Sequence, residues 1–157
     1  MASDIFAKIG DIKGESLDDK HKDEIEVLSW SWGVTNSGAS AHGGGGGEGK
    51  ANFHDLSFTH RIDMASPLLM KACATGVHIK EATITHRKAG KGQPDFLIFK
   101  MNDVIVTSVQ DGDSGDDQTE NVSMAFAKID LEYRPQKPDG SLDAGIHFKY
   151  DIRAHKV

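Results

Sequence analysis

Ile25-Glu-Val-Leu-Ser-Trp-Ser-Trp-Gly33, a run of five glycines from Gly43 to Gly47, and Asn52-Phe-His-Asp-Leu-Ser-Phe-Thr-His-Arg61 decide the fold between them. In the first segment Leu28, Trp30, Trp32 and Val34 fall on one face of an alternating strand, and Val27, Ser29 and Ser31 fall on the other. Period-2 alternation of this length marks a half-buried β-strand. The tryptophan face is expected to pack, with Leu28, Trp30 and Trp32 in the interior. The face bearing Ser29 and Ser31 carries small hydroxyls and is expected to meet water or a partner.

The rest of the chain agrees with a β protein. Strands are expected at 4–9, 25–34, 52–63, 79–87, 95–101, 104–110, 120–133 and 146–155. β-branched and aromatic residues dominate these stretches, and Gly, Asp, Asn or Pro separate them. Lys91-Gly-Gln-Pro94 and Pro138-Asp-Gly140 carry turn chemistry, because proline fixes φ and glycine permits its positive values. Seven or eight strands with short links predict a sandwich or barrel. One helix is expected: Ser66 as N-cap, Pro67 at the first helical position, Leu68 to Thr75 as its body and Gly76 as its stop. Leu68, Leu69, Ala72 and Cys73 would form its packed stripe. From Glu120 to Tyr133 the apolar parity changes, from Val122, Met124 and Phe126 to Ile129, Leu131 and Tyr133. A bulge near Ala127 and Lys128, or a strand passing from one sheet to another, would explain it.

Composition narrows the function. The chain has 157 residues, enough for one domain with a sizeable core, and its net charge is −6. Nucleic-acid binding is not expected, since phosphate contacts need clustered Lys and Arg. Cys73 is the one cysteine, so no intrachain disulfide can form, which suits a reducing compartment. Neither a secretory leader nor a transmembrane helix is expected, because the longest apolar runs are as short as Phe96-Leu-Ile-Phe99.

Three motifs resemble ligand sites and fail on chemistry. Gly44 to Ala51 nearly spells a phosphate-binding loop, but Ala51 lacks the magnesium-holding hydroxyl and a strand is expected to follow Lys50. The stretch from Asn36 to Lys50 is better read as a long glycine-rich loop with reach. Its fourteen residues to Gly49 could span roughly 45 Å extended. Loops of this length are usually functional or belong to an interface. Asp111 to Asp117 has no oxygen ligand at Gly115 and no Glu at Val122, so it reads as a solvated acidic hairpin tip rather than a calcium loop. The eight histidines show no metal-ligand spacing. His54 and His60 share parity with Leu56 and Phe58, and His86 with Ile84, which predicts structural roles. Asn121-Val-Ser123 fits a glycosylation sequon without a leader to use it. No catalytic constellation stands out, so an enzyme is not expected.

Long ordered stretches resemble the haemolysin-coregulated proteins (Hcp) of type VI secretion. They are Ile5 to Ser16, Glu24 to Gly33, Phe53 to Asp63, Ser66 to Gly76, Ala82 to Gly90, Thr119 to Val122 and Tyr133 to Gln136. The resemblance covers nearly the whole chain; the glycine run and the acidic tip are its least constrained parts. It implies a mainly β protein: a single β-barrel domain over 1–157, of two packed sheets with one flanking α-helix. It implies self-association into homohexameric rings that stack into a tube inside contractile sheath proteins, with a spike protein at the tip. It further implies small effector proteins in the ring lumen, assembly in the bacterial cytoplasm and release outside the cell. No cofactor is implied. On this reading Ser29 and Ser31 are the candidate lumen residues, and Ser37, His42, Gly45, Glu48 and Lys50 belong to a loop that touches a neighbouring subunit or ring. Two rival readings are a monomeric barrel carrying a small apolar ligand and a nucleotide-using enzyme built on the glycine run.

Overall fold

The computed structural model describes residues 3–38, 50–88, 92 and 94–157. Among these described residues nine strands and one helix follow one another as β1 (Ser3–Ile9), β2 (Ile25–Ser31), β3 (Val34–Asn36), β4 (Ala51–Phe53), β5 (Leu56–Arg61), α1 (Ser66–Thr75), β6 (Ile79–Lys88), β7 (Asp95–Asp113), β8 (Gln118–Tyr133) and β9 (Ile146–Asp151). The main sheet runs β5-β2-β1-β6-β7-β8-β9, and β5 also pairs with β8. That last pairing closes six strands into a barrel, which removes the open edges a sheet would otherwise expose. β9 extends β8 outside the circuit, and β3 and β4 form a separate two-stranded sheet. The mainly β barrel with one helix is therefore as expected.

Four expected strands are divided differently. The segment 25–34 breaks at Trp32 and Gly33, and the segment 52–63 breaks at His54 and Asp55, because the β3–β4 hairpin leaves the barrel between them. The expected strands at 95–101 and 104–110 are one, β7, which continues through Asp103 at φ 55°. That left-handed residue faces Ala127 of β8 across an unbroken register from Asn102↔Lys128 to Val104↔Phe126. The β7–β8 pair thus changes its inward parity together, burying Met101 and Val104 on one strand and Ala127 and Ile129 on the other. No bulge falls at Ala127 or Lys128; the register shift lies on β7 between Val106 and Ser108. Nor does β8 pass from one sheet to another: it pairs with β5 over 119–124 and with β9 over 128–133, and both partners belong to the same seven-stranded sheet.

The interior is apolar and tightly filled. Ile9, Ile25, Leu56, Leu69, Ile84, Met101, Val104, Val122 and Met124 are fully buried. Helix α1 contributes Leu69 and Ala72. Leu68, expected in its packed stripe, is 46% exposed, while Cys73 packs against the core edge. Ser66 does not cap the helix. Its Oγ accepts from the Asp63 amide at 3.1 Å, and Asp63 Oδ1 accepts from the Ala65 amide at 2.8 Å, so Asp63 organises the entry. Gly76 ends the helix at φ 66°, as its sequence position predicts.

The segment between β1 and β2 folds back over the outer side of β1. Gly14 and Ser16 donate to Asp23 and Glu24 carbonyls at 2.8 and 3.0 Å. A side chain at Gly14 would meet the Glu24 carbonyl oxygen at 2.6 Å, so only glycine permits this approach. Gly14→Ala is expected to lower the urea midpoint by the equivalent of about 1–3 kcal/mol, the usual cost of forcing a close-packed backbone apart. His21 lies stacked on Phe6 at 4.4 Å and bonds Glu24 and Asp95.

Candidate functional site

β2 has a bulge between Val27 and Ser29. Before it, Ile25 and Val27 point into the core; after it, Trp30 and Trp32 pack against the core instead. An extra residue in one strand resets which parity faces inward. This overturns two expectations: Leu28 is 42% exposed rather than packed, and Val27 is buried rather than on the hydroxyl face. Trp30 stacks edge-on to Phe99 at 4.6 Å and donates its indole N–H to His86 Nε2. Ser29 and Ser31 both lie exposed on the outer face.

The neighbouring strands continue that face with the same chemistry. Register places Ser31 opposite Ser57, Ser57 opposite Ser123, and Ser123 opposite Ser108. One pleat away, Ser29 lies opposite Thr59, Thr59 opposite Asn121, and Asn121 opposite Gln110. Two rows of four neutral polar side chains therefore cross β2, β5, β8 and β7. Four strands at about 4.8 Å spacing make the rows roughly 14 Å wide. Ser57 and Ser123 share a hydrogen bond at 2.8 Å. The other six of these side chains are half-buried or exposed, and hydroxyls and amides can each donate and accept. Such a surface can make many weak, adaptable hydrogen bonds without fixing the sign of a partner's charge.

The reverse of the same strands is core, with one exception. His60 and Glu120 face each other on β5 and β8, both inaccessible, with His60 Nε2 2.8 Å from Glu120 Oε1. Burial pushes the Glu120 carboxyl up to about 8, helped by the nearby Asp111. Burial also holds His60 below its ordinary value. His60 Nδ1 and Glu120 Oε2 have no hydrogen-bond partner. The pair belongs to the barrel seam, not to the exposed face. Among the described residues no three His, Cys, Asp or Glu side chains are arranged to hold a metal ion.

Of the loop residues, Ser37 and Lys50 are brought together at the base of the β3–β4 hairpin. The Ser37 amide donates to the Lys50 carbonyl at 3.3 Å, and the Lys50 amide donates to Ser37 Oγ at 3.1 Å. His42, Gly45 and Glu48 lie outside the described residues. Lys50 leads directly into β4, so no helix N-terminus stands where a phosphate-binding loop would need one. The hairpin is anchored by Phe53, which packs on Tyr150 at 4.7 Å and stacks with Trp32 at 6.1 Å. At the far end of the sheet, Ser114 to Asp117 turn between β7 and β8 as an exposed acidic tip, with Arg61 on Asp117 at 3.1 Å.

The chain thus presents a closed barrel with one helix and a neutral hydroxyl face among its described residues. Residues 6–133 match the family described as type VI secretion system effector, Hcp. Protein hcp1 of Pseudomonas aeruginosa is 50% identical over 157 residues, covering 98% of this chain and 97% of that protein. Crystal structures of Hcp1 from Salmonella typhimurium and of a type VI secretion system effector from Yersinia pestis are 40% and 35% identical, with TM-scores of 0.80 and 0.77. The first covers 99% of both chains; the second covers 95% of this chain and 100% of the other. The chain belongs to the Hcp family. Among the described residues no helix is long and apolar enough to cross a membrane.

Proposed function

We propose that this chain is a structural subunit of the type VI secretion inner tube, not an enzyme. Six copies close into a ring, the two neutral rows line its channel, and rings stack into a tube within contractile sheath proteins. A spike protein sits at the tip. The tube leaves the cell through the secretion apparatus and carries small effector proteins in its lumen. The observation that carries this reading is the eight-residue hydroxyl and amide face on four strands whose reverse is core. A wide, uncharged, wet surface suits a wall that must hold varied cargo and release it. Closed rings repeat one head-to-tail contact, which should bury more than about 1,000 Å² to be stable.

Native mass spectrometry at tens of micromolar is expected to show hexamers, and a monomer alone would count against the ring. Ser31→Gln is expected to fold and to form rings, because its side chain stands in solvent. It should reduce co-purification or export of an effector several-fold by placing a larger amide in the channel. Unchanged export of every cargo would remove Ser31 from the lumen.

The loop from Ser37 to Lys50 is proposed to reach a neighbouring subunit or ring from its hairpin base. Deleting 37–47 should weaken ring stacking in negative-stain images, whereas Lys50→Ala should leave rings intact and bind no nucleotide. Saturable ATP binding lost on changing Lys50 would overturn this assignment.

A further inference from the structure

Two surfaces of opposite sign flank the hydroxyl face. Around the barrel the strands run β1-β2-β5-β8-β7-β6 and back to β1, and the face occupies β2 to β7. Beyond its β2 edge lies a groove of about 570 Å³. The Arg87 guanidinium at its floor is buried and already neutralised, held by Asp4 at 2.8 Å and by Asp18, and lies over the Phe6 ring. Arg61, the other cation there, is drawn to Asp117. Glu15, Glu26 and Asp63 then set the sign of the groove, which is acidic. Its rim is apolar and open: Leu17 is 90% exposed, and Leu28 and Ile62 are about two-fifths exposed. An exposed leucine cluster beside carboxylates is a surface that marks an interaction site.

Beyond the β7 edge, where β7 and β8 change parity and β6 begins, lies a second cavity of about 640 Å³. His78, Lys80, Lys128 and Arg153 surround Asp103 there. Asp103 takes His78 Nδ1 at 2.7 Å and also Arg153, while Lys128 approaches Asp151 only at 4.0 Å. The cavity is therefore basic. It adjoins an apolar strip of Ile105, Ala125 and Ala127.

Each surface thus offers charge and apolar area that the other can satisfy, and neither can satisfy itself. A two-fold contact would place carboxylates against carboxylates or ammonium groups against ammonium groups. Like charges across a contact cost several kcal/mol, and opposite potentials steer and register it. A head-to-tail contact is the arrangement that pairs them, and it is the kind that closes rings. Because the surfaces bracket the hydroxyl face, repeating the contact turns every hydroxyl face the same way.

We infer that the occupant of the acidic, leucine-rimmed groove is the basic cavity of a second copy of this chain, with Leu17, Leu28 and Ile62 seated against the Ile105–Ala125 strip. This inference rests on the ring reading and names the surfaces that make the ring. Three variants at exposed positions test it: Leu17→Glu, Glu26→Lys and Lys80→Glu, with the swapped pair Glu26→Lys/Lys80→Glu. Circular dichroism first establishes that each is folded, and native mass spectrometry then follows ring dissociation on dilution. Leu17→Glu is expected to be monomeric. Each single reversal should raise the dissociation concentration about 10-fold or more, equivalent to about 1.4 kcal/mol, and the swapped pair should recover most of that loss. If the wild-type protein is itself monomeric, the ring reading fails and the inference fails with it. If the wild type forms rings and all four variants dissociate at its concentration, the ring stands and these surfaces are not its contacts. Should Leu17→Glu fail to fold, recovery or its absence in the swapped pair decides.

Discussion

Trp30→Ala is expected to give insoluble or unfolded protein, while Ser31→Gln, its immediate neighbour, keeps the wild-type fold. The two side chains leave β2 on opposite sides. Trp30 packs on Phe99 and bonds His86 across the barrel wall. Its truncation removes an aromatic contact, leaves a cavity beside Phe99 and strips His86 of its donor. Large aromatic truncations cost about 3–5 kcal/mol, a large share of the roughly 5–15 kcal/mol by which a domain is stable. Ser31 is exposed, and lengthening it displaces only water. Urea titrations followed by tryptophan fluorescence or circular dichroism will separate the two. A Trp30→Ala protein with the wild-type midpoint would show that β2 does not hold the core as described. A Ser31→Gln protein as damaged as Trp30→Ala would show that Ser31 is packed.

Much of this was legible in the alternation of β2, and the part that was not has a physical cause. Ser29 and Ser31 stand out because tryptophans flank them. Leu28 was misplaced because the Val27–Ser29 bulge is set by pairing with β5, and a partner strand thirty residues away leaves no local trace. Ser57 and Thr59 alternate with Leu56, Phe58 and His60, and Asn121 and Ser123 with Glu120, Val122 and Met124, so their outward parity could have been read. What could not be read is that the four strands bring them into two rows, because register across a closed barrel is a long-range property. The Ser66 cap failed because the helix begins one residue earlier than expected: Ser66 is its first residue, Leu69 donates to the Ala65 carbonyl, and Ser66 Oγ turns back to the Asp63 amide. The groove and the basic cavity draw on segments scattered from Asp4 to Arg153, which no single motif marks.

The barrel is expected to lose stability as pH rises from about 6.5 to 8, and Glu120→Gln is expected to flatten that loss. His60 and Glu120 close the β5–β8 seam with both side chains inaccessible. Asp63 faces His60 Nδ1 at 3.8 Å, Asp111 and Ser66 adjoin Glu120, and Glu15 lies near Asp63. Two bare charges cannot be left apart in such a place, so the folded pair holds one proton, whichever of the two carries it. Glu120 is raised from 4.5 to about 8, so its contribution is full below 4.5 and disappears as pH rises through about 8. His60 is lowered from 6.5, so its contribution is full above 6.5 and fades as pH falls below that. Between 6.5 and 8 the folded pair binds one proton and the unfolded chain binds none at these sites. Stability then falls with rising pH, by up to about 1.4 kcal/mol for each unit. Between 4.5 and 6.5 the unfolded histidine has taken its own proton, the two states balance and the curve is level. Below 4.5 the unfolded chain binds two and stability falls again. Gln at position 120 keeps the shape and a neutral hydrogen bond but carries no titrating proton. Its curve should therefore be level from 6.5 to 8, and it should fall below 6.5, where the unfolded His60 still protonates. Removing the partner outright, as in Glu120→Leu, leaves the buried His60 Nε2 without its hydrogen bond and should cost about 1–3 kcal/mol. Urea midpoints measured at half-unit steps from pH 5 to 8.5 decide the matter, and identical slopes for the wild type and Glu120→Gln would mean that the seam does not hold that proton.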